Sequence, residues 1–120
     1  MASELDDFLG RRCSLTKRQI ECLSLQISRG NHLKNDGKEQ RPHELIGVSE
    51  GAYYRVLGQA KKNVDQALYT MLLCSRMGII QGEDLKRLVS LMAKAPSELP
   101  EAQREVISLV EVLVRKIVML

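Results

Sequence analysis

The sequence predicts an all-α fold in which a unit of three helices continues, through its third helix, into a long helical arm. Apolar residues recur with the 3.6-residue period of amphipathic helices, and no clear stretch alternates apolar with polar residues as a half-buried strand would. Aromatic residues make up only 3% of the chain, so the core must be built mostly from aliphatic side chains, which suits packed helices.

The basic charge is concentrated in the first half of the chain. Residues 11–62 hold eleven Lys and Arg against five Asp and Glu, a net charge of +6, whereas residues 63–120 hold seven of each. This asymmetry favours an acidic partner for the first half, although surface charge can also be uneven by chance. A chain of 120 residues suits one domain, or a small domain with a dimerisation arm.

No segment of the sequence resembles a targeting or membrane signal. The first ten residues are acidic and lack the apolar run of a signal peptide. No run approaches the roughly 18 apolar residues of a membrane span. We therefore expect a cytoplasmic protein without a membrane partner.

The N-terminal region predicts two helices. Residues 3–10 form a short helical turn that Gly10 is expected to stop, and one apolar face of this turn should dock on the body: Leu5, Phe8 and Leu9. Ser14 is expected to cap the next helix, because its hydroxyl can accept a hydrogen bond from an unpaired backbone N–H. That helix covers about residues 15–29, follows the 3.6-residue period and ends at Gly30.

A polar loop over residues 31–40 precedes a short second helix. Pro42 suits the first position of that helix, where its missing N–H costs little. Leu45 and Ile46 are expected to point inward, and Gly47 supplies the left-handed conformation that many tight turns need.

A third, long helix is predicted from its capping residue Ser49 to Gly78. Gly58 weakens the helix interior by about 1 kcal/mol, so the segment is either one helix or two helices joined by a kink. Spacings of three and four residues mark an apolar seam along it: Leu57, Ala60, Val64, Ala67, Met71 and Cys74.

Two further helices complete the predicted fold. One covers about residues 83–95 and is stopped by Pro96, and the other is capped by Ser97 and is apolar nearly all round. Because such a helix must be buried on several sides, we expect a homodimer in which residues 65–120 form the dimerisation region. The residues expected at the dimer interface are Val64, Met71, Cys74, Val106, Val110, Leu113 and Ile117.

Two stretches within residues 14–64 carry a family resemblance. The stretch from Leu15 to Glu21 resembles the first-helix opening of the helix-turn-helix found in sigma-factor region four and in response regulators. The turn from Leu45 to Ser49 resembles the turn of that motif, and the recognition helix is matched by Tyr54, Arg55 and Leu57.

A three-helix unit that continues into a dimerisation arm is also similar to small stand-alone archaeal DNA-binding proteins, particularly those of thermoacidophiles. This sequence departs from the family pattern at two points. The connection between the first two helices is longer, and Pro42 and His43 stand where the family has a small residue.

The resemblance implies that residues 1–64 form a helix-turn-helix unit that binds the major groove of double-stranded DNA with the helix starting at Ser49 and Glu50. The residues implied to face the groove are Gly51, Tyr54, Arg55, Gln59 and Lys62. Arginine can pair with guanine, and glutamine with adenine, through two hydrogen bonds. The residues implied to contact phosphates are Lys17, Arg18, Lys38 and Arg41.

Several of these roles have plainer alternatives. Arg55, Gln59 and Lys62 could simply form a solvated helix face. Glu50 could accept a hydrogen bond from cytosine, but we prefer an electrostatic capping role at the helix N-terminus. Tyr53 fits the core better than a DNA contact.

The cysteines and histidines do not indicate a metal site. Cys13, Cys22 and Cys74 lack the CxxC spacing of structural zinc, and each could be a small buried apolar residue. A disulfide remains an alternative, with Cys74 facing its mate in a two-fold dimer and Cys13 as the intrachain candidate. His32 and His43 have no second ligand at helical spacing.

Nothing in the sequence indicates catalysis. No nucleophile elbow, phosphate-binding loop or spaced pair of carboxylates is evident, so we expect neither an enzyme nor a cofactor. The sequence favours a transcription regulator whose partners are double-stranded DNA, a second copy of itself and the transcription machinery. The alternative is a helical protein-interaction module or a nucleoid-type architectural protein with a degenerate helix-turn-helix.

Overall fold

The computed structural model of the protein describes residues 3–31, 41–95 and 99–118. These residues form helices and connecting segments without any strand, which confirms the predicted all-α class. In chain order the helices are α1 (Glu4–Arg12), α2 (Lys17–Asn31), α3 (Pro42–Leu45), α4 (Glu50–Arg76), α5 (Gly82–Lys94) and α6 (Pro100–Ile117).

The helices belong to two compact units. One unit is Ser14–Gln66, which contains α2, α3 and the first half of α4. The other unit joins the residues before Ser14 to those after Gln66, and it contains α1, the second half of α4, α5 and α6. The predicted DNA-binding segment, residues 1–64, therefore shares most of its length with the first unit, while α1 groups with the second.

The start of α2 is fixed by a capping box. The backbone N–H of Gln19 donates to the Thr16 hydroxyl at 3.1 Å, and the N–H of Thr16 donates to Oε1 of Gln19 at 3.0 Å. The prediction that Ser14 caps this helix was therefore wrong, because the Thr16 pair satisfies two N–H groups at once. The Ser14 hydroxyl instead donates to Oδ1 of Asn63 at 2.8 Å.

The core of the first unit forms where α4 packs on α2. Tyr53 is 1% exposed and clusters with Leu57 and Cys22, which confirms the predicted burial of Tyr53 and Leu57. The Tyr53 hydroxyl donates to the carbonyl oxygen of Cys22 at 3.2 Å and lies 3.1 Å from Oε1 of Gln26. The hydroxyl therefore reaches a polar partner although its ring is fully enclosed, as burial of a tyrosine requires.

The turn before α4 follows the predicted local chemistry in most respects. Pro42 occupies the first position of α3, a single helical turn, and Gly47 has a φ of +69°, in the left-handed region that favours glycine. Ile46 packs against the core as expected. Leu45 is 55% exposed, so its predicted inward orientation was wrong. A helix of one turn presents too few positions to bury both Leu45 and Ile46.

The third predicted helix is one continuous helix, α4, of 27 residues. The Ser49 hydroxyl accepts a hydrogen bond from the backbone N–H of Ala52 at 3.1 Å, which confirms Ser49 as its cap. The helix passes through Gly58 without a break and ends at Arg76, two residues before Gly78, which has a φ of +78°.

In the second unit, α1 extends beyond its predicted stop. Ser3 and Asp6 form a capping box at its start, and the helix continues through Gly10 to Arg12. The last turn is stabilised by Arg11 and Arg12, whose side chains donate to the backbone carbonyls four residues earlier. Both cations also lie in the last turn of α1, where positive charge interacts favourably with the helix dipole.

The apolar face of α1 docks on α6. Leu5 and Phe8 are buried, as the sequence predicts, and the backbone N–H of Leu5 donates to Oε1 of the buried Gln103 at 3.2 Å. At the surface, the Arg104 guanidinium lies 3.3 Å from the Glu4 carboxylate.

The helix α5 lies close to its predicted position, and α6 begins later than expected. Pro100 is the first residue of α6, so the cap position falls on Leu99. The predicted cap Ser97 and stop Pro96 lie outside the described residues. The helix α6 is apolar nearly all round, but only part of its surface is buried. Its exposed apolar residues are Leu109, Val112, Val114 and Val118.

Replacing Tyr53 by Phe tests the packing of α4 on α2. We expect the free energy of unfolding to fall by about 1 kcal/mol, because the hydrogen bond to the Cys22 carbonyl is lost while the ring stays packed. Urea denaturation followed by circular dichroism measures the change. Tyr54→Phe is the matched control at an exposed neighbour and should change stability by less than about 0.5 kcal/mol. Equal losses in both variants would contradict this account.

Candidate nucleic-acid interface

The first half of α4 has one buried and one exposed face. Tyr53, Leu57 and Ala60 recur at the helical period and face the core. The opposite face is open to solvent and includes every residue implied to face the DNA groove: Gly51, Tyr54, Arg55, Gln59 and Lys62. The exposed ring of Tyr54 meets the buried ring of Tyr53 edge-on, with centroids 5.2 Å apart, so it lies at the border of this face.

The cations on this face form no ion pair with any carboxylate in the described part of the chain. Arg55, Lys61 and Lys62 are exposed, and no carboxylate of the described residues pairs with them. Lys61 was missed by the sequence reasoning; it lies about 100° round the helix from Lys62, at the edge of this face. Arg55 and Lys62, with Lys61 at the edge, give the exposed face a net positive charge that is available to an anionic partner.

Two other cations of the first unit are held by carboxylates. The Arg18 guanidinium lies 3.0 Å from the Glu21 carboxylate on α2, and the Arg41 guanidinium lies 3.4 Å from that of Glu50. Both pairs are largely exposed, and such pairs contribute only about 0–1 kcal/mol. They can therefore be exchanged for contacts to another anion at little cost.

The implied phosphate-contacting residues occupy different parts of the first unit. Lys17 and Arg18 lie at the start of α2, next to Gln19, whose Oε1 accepts a hydrogen bond from Nδ2 of Asn63 at 3.4 Å. This contact brings the start of α2 close to the Lys61–Lys62 end of the exposed face. Lys38 lies outside the described residues.

Arg41 and Glu50 join the segment before α3 to the start of α4. Glu50 is in the first turn of α4, where a negative side chain interacts favourably with the helix dipole. This position suits the capping role that the sequence favours for Glu50. Its pairing with Arg41 also offsets a negative charge that would repel phosphate from this end of the face.

Two glycines leave part of the exposed face without side chains. A Cβ atom built on Gly51 or Gly58 would meet nothing within 4 Å, so neither glycine is required by packing inside the chain. They are seven residues apart and lie on the same side of the helix, about 10 Å from each other along its axis. A partner can therefore approach the backbone of α4 closely at both positions.

The three cysteines are thiols, and no disulfide joins them. Cys13 is exposed, Cys74 is half-buried, and Cys22 is fully buried beside Tyr53. Burial raises the pKa of the Cys22 thiol; the nearby Arg18 lowers that pKa and Glu21 raises it, both with smaller effects. The Cys22 thiol is therefore protonated at neutral pH and poorly reactive.

The residues predicted for a dimer interface differ in how deeply the structure buries them. Val110 and Ile117 are buried within the chain, so they already have an apolar environment. Met71, Cys74, Val106 and Leu113 are half-buried, and Val64 is partly exposed. The apolar period along α4 and α6 thus marks residues that largely pack inside the protein itself.

No protein family, curated protein or solved structure matches this chain. Within the described residues, no group of three or more His, Cys, Asp and Glu side chains could hold a metal ion, and no helix is long and apolar enough to cross a membrane. His32 lies outside those residues, and His43 is half-buried with Nε2 3.9 Å from the Glu44 carboxylate.

The buried Cys22 thiol should make stability depend on alkaline pH. Since burial raises its pKa above the ordinary value of 9.0, the folded state disfavours the thiolate. The stabilising contribution is complete below about pH 9 and is lost as the pH rises through the folded-state value. In urea unfolding between pH 7 and pH 10, the stability difference between wild type and Cys22→Ala should shrink. A difference that stays constant or grows would contradict the assignment, and Cys13→Ala serves as the exposed control.

Gly58→Ala should raise the free energy of unfolding by roughly 1 kcal/mol. Alanine has the higher helix propensity, and the new methyl group meets no other atom. Thermal unfolding by calorimetry measures the gain. Gly47→Ala is the opposite control and should destabilise, because the φ of +69° disfavours a Cβ atom. A loss of stability in Gly58→Ala would mean that this position is not open.

Proposed function

We propose that this chain binds double-stranded DNA through the exposed face of the first half of α4. The observation that carries the proposal is the pair of exposed cations Arg55 and Lys62 on one face of a helix whose other face is fixed by Tyr53. Unpaired cations on a rigid surface attract a polyanion, because binding releases the counterions condensed on DNA. Gln59 adds a side chain that can hydrogen-bond to base edges.

The dimensions of this face suit the major groove. The groove is about 12 Å wide and admits one α-helix. Because Gly51 and Gly58 have no side chains, the helix is narrowest where it would lie deepest in the groove. Arg55 and Gln59 are four residues apart, about 6 Å along the axis, which is close to two base-pair steps of about 3.4 Å. Each can make a two-bonded contact, Arg55 with guanine and Gln59 with adenine.

The cations around this face have a positioning role in the proposal. Lys17 and Arg18 at the start of α2 would contact the phosphates beside the Lys61–Lys62 end, and Arg41 would do so beside the start of α4. Lys38, which lies outside the described residues, is included among these phosphate contacts because of the sequence resemblance alone. Such contacts orient the helix in the groove without selecting a sequence.

A DNA-binding unit of this kind serves transcription regulation in the cytoplasm, and it can also serve an architectural role on DNA. In both cases residues 65–120 would supply the dimerisation region, and in the first case the transcription machinery would be a further partner. No catalytic step and no cofactor enter this proposal.

A second candidate function is a helical protein-interaction module. The observation that favours it is the length of α3, four residues, which is one turn where the resembled motif has two. A one-turn helix gives α4 less support in a groove. In that function the cations of α4 would bind an acidic protein surface in place of phosphates.

The double variant Arg55→Ala/Lys62→Ala tests the proposal directly. We expect its affinity for random-sequence duplex DNA to be about tenfold or more below that of wild type in moderate salt. Since each phosphate contact contributes close to one unit to the slope of log affinity against log salt, this slope should also become shallower. Fluorescence anisotropy across a salt series measures both quantities.

Lys86→Ala/Lys94→Ala is the matched control, because it removes two exposed cations from α5 in the other unit. It should bind DNA within about twofold of wild type if the contact is confined to α4. Equal losses in the two double variants would indicate non-specific attraction to net charge. No binding of the folded wild type even at low salt would reject DNA as the partner and favour the interaction module.

A further inference from the structure

The second half of α4 exposes a stripe of large apolar side chains. Its four residues are 59% to 73% exposed: Leu68, Tyr69, Leu72 and Leu73. Their spacing of one, three and one residues places them on one side of the helix. Contiguous exposed apolar patches of this kind are uncommon on monomeric proteins and usually mark an interface.

This stripe differs from the seam that the sequence predicts for dimerisation. Met71 and Cys74 of that seam are half-buried and point to the other side of α4. The stripe is therefore the side of the second half of α4 that residues 3–31, 41–95 and 99–118 leave uncovered.

The order of residues along the stripe is symmetric. Leu68 and Leu73 are equally far from the midpoint between residues 70 and 71, and so are Tyr69 and Leu72. When two identical helices pack in antiparallel orientation about a two-fold axis at that midpoint, equidistant residues come level with each other. Leu68 of one copy then comes level with Leu73 of the other, and Tyr69 comes level with Leu72.

Two opposite charges follow the same symmetry. Asp65 and Arg76 flank the stripe, are equidistant from its midpoint and lie on the same side of the helix. Both are exposed, and neither is paired within the described residues. In the antiparallel arrangement each Asp65 comes level with Arg76 of the other copy, so two ion pairs form. A parallel arrangement would instead bring Asp65 to Asp65 and Arg76 to Arg76, which is repulsive.

We propose that this stripe is the interface of a symmetric antiparallel homodimer, with a second copy of this chain as its occupant. A two-fold axis requires a self-complementary surface, and both the apolar residues and the two charges of the stripe meet that requirement. The proposal does not depend on DNA binding, and its test contains no DNA.

Sedimentation equilibrium of the full chain over a concentration series tests the proposal. Wild type should be a dimer, and Leu72→Glu should raise the dimer dissociation constant at least tenfold, because a carboxylate would be buried at the centre of the interface. Val112→Glu places the same charge on the exposed part of α6 and should leave the constant within about twofold. A monomeric wild type, or a dimer sensitive to Val112→Glu and not to Leu72→Glu, would overturn the proposal.

A charge exchange tests the antiparallel register with variants at exposed positions, where folding is least affected. Asp65→Arg and Arg76→Asp should each weaken the dimer by about tenfold or more, because each creates two like-charge contacts. The double variant Asp65→Arg/Arg76→Asp should recover an affinity close to that of wild type. Failure of the double variant to recover would overturn the register, and circular dichroism confirms that each variant is folded.

Discussion

Tyr53 packs its ring against α2 and donates its hydroxyl to the carbonyl oxygen of Cys22, 3.2 Å away. This contact fixes which side of α4 faces the core of the first unit. Because a helix turns by a set angle per residue, Leu57 and Ala60 must then face inward, and Arg55, Gln59 and Lys62 must face outward. The candidate DNA surface is thus a consequence of where one tyrosine is buried.

The first half of α4 is fixed at each of its two ends by separate local contacts. At the start of α4, the positive φ of Gly47 and the capping hydroxyl of Ser49 set the direction in which the helix leaves the turn. Near residue 63, hydrogen bonds between Asn63 and Ser14 hold the start of α2 against α4. Contacts at both ends of the buried face restrict rotation of α4, and a surface that recognises base edges needs such rigidity.

Local sequence signals predicted the helices well where short-range chemistry decides. Pro42, Gly47 and Ser49 each act within four residues of themselves, and the structure confirms all three. Ser14 was misassigned because two hydroxyl residues, Ser14 and Thr16, compete for one cap, and only the Gln19 side chain decides between them.

Contacts made over longer distances were less predictable. The burial of Val110 and Ile117 could not be separated from a dimer contact, since helical period marks an apolar face without saying which chain covers it.

The central claim is that the exposed face of α4 contacts DNA, and an NMR titration of the labelled chain with a short duplex tests it most directly. The account predicts that the largest amide shifts fall at Gly51, Arg55, Gly58 and Lys62. Shifts confined to α5 and α6, or none at all, would contradict it.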